Sequence, residues 1–330
     1  LPEESYANVQ RAPVGMPAAE DDPDSPHWGI MAAAVAWIAS IALLVFVQLI
    51  FIVPYGFIKY RNDGLAAFVQ GMQTDPIAIL LQILSVIPSH LLTLVVVWMI
   101  VTHFGKRPFW SAFGWSWSEN FRLWQSVGVA GAMLGCGILI GWLFGGGDTQ
   151  LDQIVSSSTA ARITVAILAT ATAPLVEELI YRGLLYSALL KTLTRFNAQR
   201  EVIRASRAEM ISTADVIDEQ RAFEITGRAR RTALIWTVFI VSLIFALVHV
   251  LQYKNNLGVI IAVALLSFVL TLTRALTGRL LPCFIIHLVF NGIQSLFLLL
   301  QPLFPQHDAV PTAPTSIILF NFVHYLQNLF

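Results

Sequence analysis

The chain has 330 residues, 56% of them hydrophobic and only 12% charged, with a mean hydropathy of +0.70. A typical soluble domain carries about 25% charge, so the composition excludes an ordinary soluble enzyme. The 20 Lys+Arg balance the 20 Asp+Glu, so no global charge points to nucleic acid, and what matters is where along the chain the basic residues sit.

Residues 1–27 hold several prolines and the acids Glu20, Asp21, Asp22 and Asp24. This stretch is too polar to bury a core and is expected to be a flexible acidic N-terminal tail. No basic n-region precedes a short apolar segment with a small-residue cleavage site, so the first apolar run is expected to be a retained span, not a removed signal peptide. Apolar runs long enough to cross a hydrocarbon layer of about 30 Å follow. They lie at 28–54, 76–102, 123–144, 160–190, 232–251, 257–277 and 280–300. A weaker one at 313–330 contains Asn321, His324 and Gln327 and reads as a span or an interfacial helix. The expected fold is all-α, a polytopic transmembrane helical bundle of about eight spans with no internal repeat. Cys136 and Cys283 both fall in apolar runs and are expected to be small packing residues, with no disulfide framework or Cys-rich zinc site.

The polar interruption 192–231 mixes Arg, Glu, Asp and Ala with scattered Ile, Val and Met, which suggests one or two amphipathic surface helices. Alternating crossings from a cytoplasmic N-terminus put Arg11, Lys106, Arg107, Arg122, the arginine-rich run from Lys191 to Arg231, Arg274 and Arg279 on the inner side. They leave Lys59, Arg61, Arg162 and Lys254 outside. The positive-inside rule therefore predicts a cytoplasmic N-terminus, and a cytoplasmic C-terminus if 313–330 spans.

Ionisable groups inside a span cost on the order of 2.5 to 3.5 kcal/mol each, so they are rare unless paired or functional. Three spans carry them at helical spacing: Glu177, Glu178 and Arg182 in the fourth, Phe245 and His249 in the fifth, His287 and Asn291 in the seventh. Glu178 and Arg182 are four apart with the acid first, the better orientation for a same-face pair. Glu177 is turned about 100° from Glu178 and is left to face something else. Pro174 lies one turn earlier, where it removes a backbone donor and can bend the helix. His287 and Asn291, at i and i+4, share one face. A structural ion pair with a spare glutamate, a proton relay, or an interhelical hydrogen-bond clamp would give similar patterns. His90, beside Pro88 and Ser89, has no patterned companion and reads as packing or local backbone satisfaction. As a set, the carboxylates, imidazoles and amide suit hydrolysis, in which a base takes a proton from water and further donors hold an oxyanion. No serine or cysteine accompanies the histidines in motif-like spacing, so water is the expected nucleophile.

EExxxR (Glu177, Glu178, Arg182), FxxxH (Phe245, His249) and HxxxN (His287, Asn291), in this order, resemble the CPBP family, the intramembrane CAAX proteases and bacteriocin-processing proteins. The segment Thr277-Gly278-Arg279-Leu280-Leu281-Pro282 is similar to the family's turn into the last of these helices. The resemblance covers 160–300, which it implies to be a catalytic core interrupted by a cytoplasmic insertion at 192–231. N-terminal transmembrane helices (28–144) precede the core. It implies an endopeptidase in which Glu177 is the general base on water, His249 helps hold and activate that water, and His287 with Asn291 forms the oxyanion hole. Glu178, Arg182 and Phe245 would be supporting residues. The expected cofactor is none. Zinc on His249, His287 and a glutamate is the alternative, disfavoured because HExxH is absent.

The expected partners are a membrane-bound or lipidated protein substrate and the lipid bilayer, with no nucleic acid, and a protein partner or a gating role at 192–231. The expected location is a bacterial-type plasma membrane. A non-catalytic scaffold, immunity factor or accessory subunit on the same fold is the alternative function, and a proton-coupled transporter the third, although no repeated halves are visible. One feature conflicts with straight spans. Measured along helices, Glu177 is roughly 21 Å from Lys191, His249 roughly 27 Å from Arg231 and His287 roughly 12 Å from Arg279. Tilt, a bend at Pro174 or an early membrane exit after Arg182 would be needed to bring them level.

Overall fold

A backbone in hydrocarbon must satisfy its own hydrogen bonds, which a chain of separate apolar runs does by forming helices. The computed structural model describes residues 22–145, 147–209 and 219–303, and among them every regular element is helical. Seven helical segments are long and apolar enough to cross a membrane: Ile30–Lys59, Pro76–Thr102, Leu123–Phe144, Thr159–Arg204, Phe223–Val250, Leu257–Thr277 and Leu281–Leu303. They are the first to seventh spans below. The segment expected at 313–330 lies outside the described residues. End chemistry fixes the sixth span. The Asn256 side chain accepts from Val259 N at 3.0 Å, and Gly278 closes the helix in the left-handed conformation with φ 65°.

Successive span ends meet at two opposite faces. At the first, Asp24 pairs with the buried Arg274 at 2.9 Å and with Arg230 at 2.6 Å. Trp28 Nε1 donates to Leu184 O at 3.3 Å, and Lys191 donates to Pro26 O. Leu280 N donates to Gly114 O at 3.2 Å. Gly114 has φ 63°, and a Cβ there would lie 2.9 Å from Pro23 Cγ. Residues 22–27, expected to belong to a flexible tail, are thus docked on the bundle. The cause is that a buried Arg274 needs a counter-charge, and Asp24 provides it.

At the second face, Asp75 accepts from Tyr55 at 2.6 Å, Lys59 at 2.5 Å, Tyr60 at 3.0 Å and Ile77 N at 3.1 Å. Gly147 N donates to Asn255 O at 3.1 Å, tying the connection after the third span to the one after the fifth.

Among the described residues, 192–209 and 219–231 do not form separate surface helices. Instead the fourth span's helix runs on to Glu209, and the helix of the fifth begins at Glu219. The two extensions pack together, with Ile225 and Ala229 buried and Asn197 Nδ2 donating to Ala229 O at 3.4 Å. The amphipathic pattern is that of a helical hairpin, whose apolar faces cover one another. Cys283 is buried, with its Sγ 3.3 Å from Leu270 O. Cys136 is exposed and does not serve as the packing residue expected.

Burial pushes the Asp75 carboxyl up, but hydrogen bonds from Lys59, Tyr55, Ile77 N and Tyr60 outweigh it and lower the pKa from 3.8 to about 2. A carboxyl depressed in this way stabilises the fold above its ordinary pKa and loses that contribution as pH falls through the folded value. Asp75→Asn is expected to lower stability in detergent by about 1.5 to 3 kcal/mol at neutral pH, the range for hydrogen bonds to a charged group. In thermal unfolding, the gap from wild type should close between about pH 4 and about pH 2.

Candidate active site

Pro174 has no N–H to donate, and its ring crowds the carbonyl four residues earlier. The fourth span accommodates this with a π-helical turn, Leu168–Thr172, ahead of the α-helical Ala173–Glu178. A second π-helical stretch, Leu179–Leu185, follows, with every residue buried. A Cβ on its Gly183 would lie 2.6 Å from Phe113 Cε1. Widened turns of this kind occur frequently at functional sites.

Glu178 and Arg182 are fully buried and pair at 3.0 Å. The guanidinium also donates from Nε to Thr271 Oγ1 at 3.2 Å, and from Nη2 to Ser267 O at 3.0 Å and Ser267 Oγ at 2.8 Å. Its planar face lies 4.6 Å from the Phe245 ring centroid. Glu178 Oε1 accepts a second hydrogen bond, from His287 Nδ1 at 2.8 Å. An ionised carboxylate only accepts, so the Nδ1 proton belongs to the imidazole. His287 Nε2 is thereby aimed at Glu177, whose Oε2 is 3.7 Å away, beyond hydrogen-bond range.

Phe245 is the shelf on which the other side chains rest. Tyr181 meets it edge-on at 4.9 Å, His249 stacks at 4.4 Å and His287 stands at 6.3 Å. His249 Nδ1 lies 2.8 Å from Phe245 O. A carbonyl only accepts, so Nδ1 carries the hydrogen and Nε2 is left as an acceptor. Asn291 Nδ2 donates to Ala169 O, inside the first π turn, at 3.0 Å. Glu177 keeps 25% of its side chain exposed. With His249, His287 and Asn291 it lines a cavity of about 460 Å³ whose other walls are mostly apolar.

All seven residues singled out in the sequence therefore come together, by direct contact or around one cavity, which resolves the apparent difference in depth. Helix continues beyond Arg182 in the fourth span and upstream of Arg231 in the fifth, so neither residue marks a helix end. His90, read as packing, reaches across to the first π turn, where its Nδ1 lies 2.9 Å from Thr172 Oγ1. Tyr253 was missed. It stacks on His249 at 6.4 Å with rings 8° apart and lines the cavity. The i, i+4, i+8 spacing of Phe245, His249 and Tyr253 was the available signal. Burial pushes the Tyr253 hydroxyl up, and the charges of Glu177 and Asp152 add to this, so it stays a donor.

Among the described residues no group of three or more His, Cys, Asp or Glu could hold a metal ion.

Residues 159–293 match the family model described as Type II CAAX prenyl endopeptidase Rce1-like, in agreement with the CPBP resemblance of the three motifs. The match covers less than half of the chain and is a similarity to a CAAX-type endopeptidase family, in a chain whose described residues include seven helices long and apolar enough to cross a membrane. No curated protein and no solved structure matches the chain.

Glu178→Ala and Arg182→Ala each strand a buried charge, which is expected to cost about 3 to 5 kcal/mol. Thermal unfolding in detergent checks this, and a variant that melts like wild type would show that the pair contributes nothing to the fold.

Proposed function

We propose that the protein is a glutamate-dependent intramembrane endopeptidase that hydrolyses a peptide bond of a membrane-associated or lipid-modified protein. The supporting observation is the split between two adjacent carboxylates. Glu178 is occupied by Arg182 and His287, while Glu177 faces the cavity beside His249, His287 and Asn291.

In this mechanism Glu177 takes a proton from the attacking water as the water oxygen bonds to the substrate carbonyl carbon. His249 Nε2, left unprotonated by the Nδ1 contact to Phe245 O, accepts from the same water and orients it. The carbonyl oxygen becomes an oxyanion, held by the remaining Asn291 N–H and by a protonated His287 Nε2. Glu178, at Nδ1 of the same ring, supports positive charge there. Glu177 then gives its proton to the amide nitrogen as the C–N bond breaks, the second water proton passes through His249 Nε2 to the amine, and the products leave as a carboxylate and a protonated amine. No metal enters any step.

Glu177→Gln retains the volume and loses the base. It should abolish cleavage of membrane-anchored peptides by purified protein, a loss of about 10² to 10⁴ in rate, without altering folding. Near-normal turnover by the folded variant would remove Glu177 from the role of base.

Asn291→Ala should cost about 10² to 10³ in rate, nearly as much as His287→Ala. Thorough metal removal should leave activity in place. One equivalent of bound zinc, with activity lost on stripping and restored on adding it back, would overturn the water-and-glutamate mechanism.

A further inference from the structure

The cavity is one-sided along the bundle axis. From Glu177 and His287 it continues past His249 to Gln252 and Tyr253, where the fifth helix ends, and to Val259 at the start of the sixth. It also reaches Gln150, an exposed residue of the short helix Gln150–Ser157 that connects the third span to the fourth. These are all at the face that carries Asp75 and the Gly147–Asn255 tie. Toward the Asp24 face, the Glu178–Arg182 pair is followed by the buried side chains of Leu184, Tyr186, Leu190, Leu280 and Trp28. None of these lines the cavity.

The charges are one-sided in the opposite sense. Lys106, Arg107 and Arg122, in the connection between the second and third spans, belong to the Asp24 face, whose remaining basic residues include Lys191, Arg230, Arg274 and Arg279. The Asp75 face has Lys59, Arg61, Arg162 and Lys254. Basic residues in short loops mark the cytoplasmic side, so the closed face is cytoplasmic and the mouth looks out.

We infer that the cavity receives its substrate from the extracytoplasmic side. On the endopeptidase reading, which this inference extends, the substrate is a membrane-anchored protein whose scissile segment lies in the outer half of the bilayer or just outside it, and not a tail presented from the cytoplasm. The lining suits such a segment. Gln150, Gln252 and Gln294 offer amide donors and acceptors to an extended main chain, beside the apolar wall of Leu134 and Ile138 from the third span.

The test joins labelling to cleavage. In a background with both native cysteines replaced, intact cells are treated with a membrane-impermeant maleimide. Gln252→Cys and Lys254→Cys should be labelled without lysis, and Arg107→Cys only after it. Two single-span reporters then carry the same cleavable segment, one on the outer and one on the inner side of its anchor. The outer reporter should be cut, with cleavage lost in Glu177→Gln, and the inner one left intact. Labelling of Gln252→Cys only after lysis, or cleavage of the inner reporter in preference, overturns the inference. Labelling as expected with neither reporter cut overturns the endopeptidase reading, and the substrate with it, while upholding the outward-facing cavity.

Discussion

Burying a carboxylate and a guanidinium in an apolar bundle is tolerable only if nearly every donor and acceptor finds a partner. The rest of the site is arranged around that requirement. Arg182 draws on Ser267 and Thr271 of the sixth span for its spare donors, and on the Phe245 ring of the fifth for its face. Glu178 draws on His287 of the seventh. Four spans are brought into register by one ion pair, and the histidines inherit their positions from it.

The same constraint divides the labour between neighbouring glutamates. Consecutive residues on a helix point about 100° apart, so a helix that commits Glu178 to the interior must turn Glu177 elsewhere, here into the cavity. Two identical side chains thus acquire different surroundings, one as a fixed counter-charge and one, on the proposed mechanism, as the base. The π turns on either side serve this arrangement. The first exposes Ala169 O to Asn291 and Thr172 to His90, contacts from which the seventh and second spans gain a hold on the fourth-span helix.

Much of this was legible as pattern. Hydropathy alone placed the third and sixth helices at 123–144 and 257–277, the bounds they have. The i, i+4 rule exposed the Glu178–Arg182 pair and singled out Glu177. What remained hidden depends on long-range geometry. The Glu178–His287 bond joins residues 109 apart in sequence, and no local spacing announces it. Asn291 depends on a carbonyl that a π turn presents, and Pro174 signalled only that some distortion was due. The stretch at 192–231 misled because the amphipathic pattern of a surface helix is also that of a two-helix hairpin. Residues 22–27 misled because acidity reads as solvation until the buried Arg274 that needs Asp24 is known.

The two faces of the bundle are tied with unequal strength, and this bears on how a peptide could reach Glu177. At the closed face, the segment 22–28 alone binds Ile100 O, Leu184 O, Lys191, Arg230 and Arg274, so the second, fourth, fifth and sixth spans share one clasp. At the open face, the Asp75 cluster joins only the first and second spans, and the Gly147–Asn255 contact joins two connections. The third span, which supplies Leu134 and Ile138 to the cavity wall, is the least enclosed of the seven. A Cβ on its Gly128, Gly131, Gly135 or Gly137 would meet nothing within 4 Å. Local opening is drawn from regions with few buried contacts, so on the proposed reading the third span is the wall expected to yield to an extended chain. The ion pair, the histidine shelf and the clasp at the Asp24 face are held more tightly. On the proposed mechanism such a division would keep the base and the oxyanion donors preorganised while the mouth moves, as a hydrolase acting on a bulky, membrane-held substrate requires.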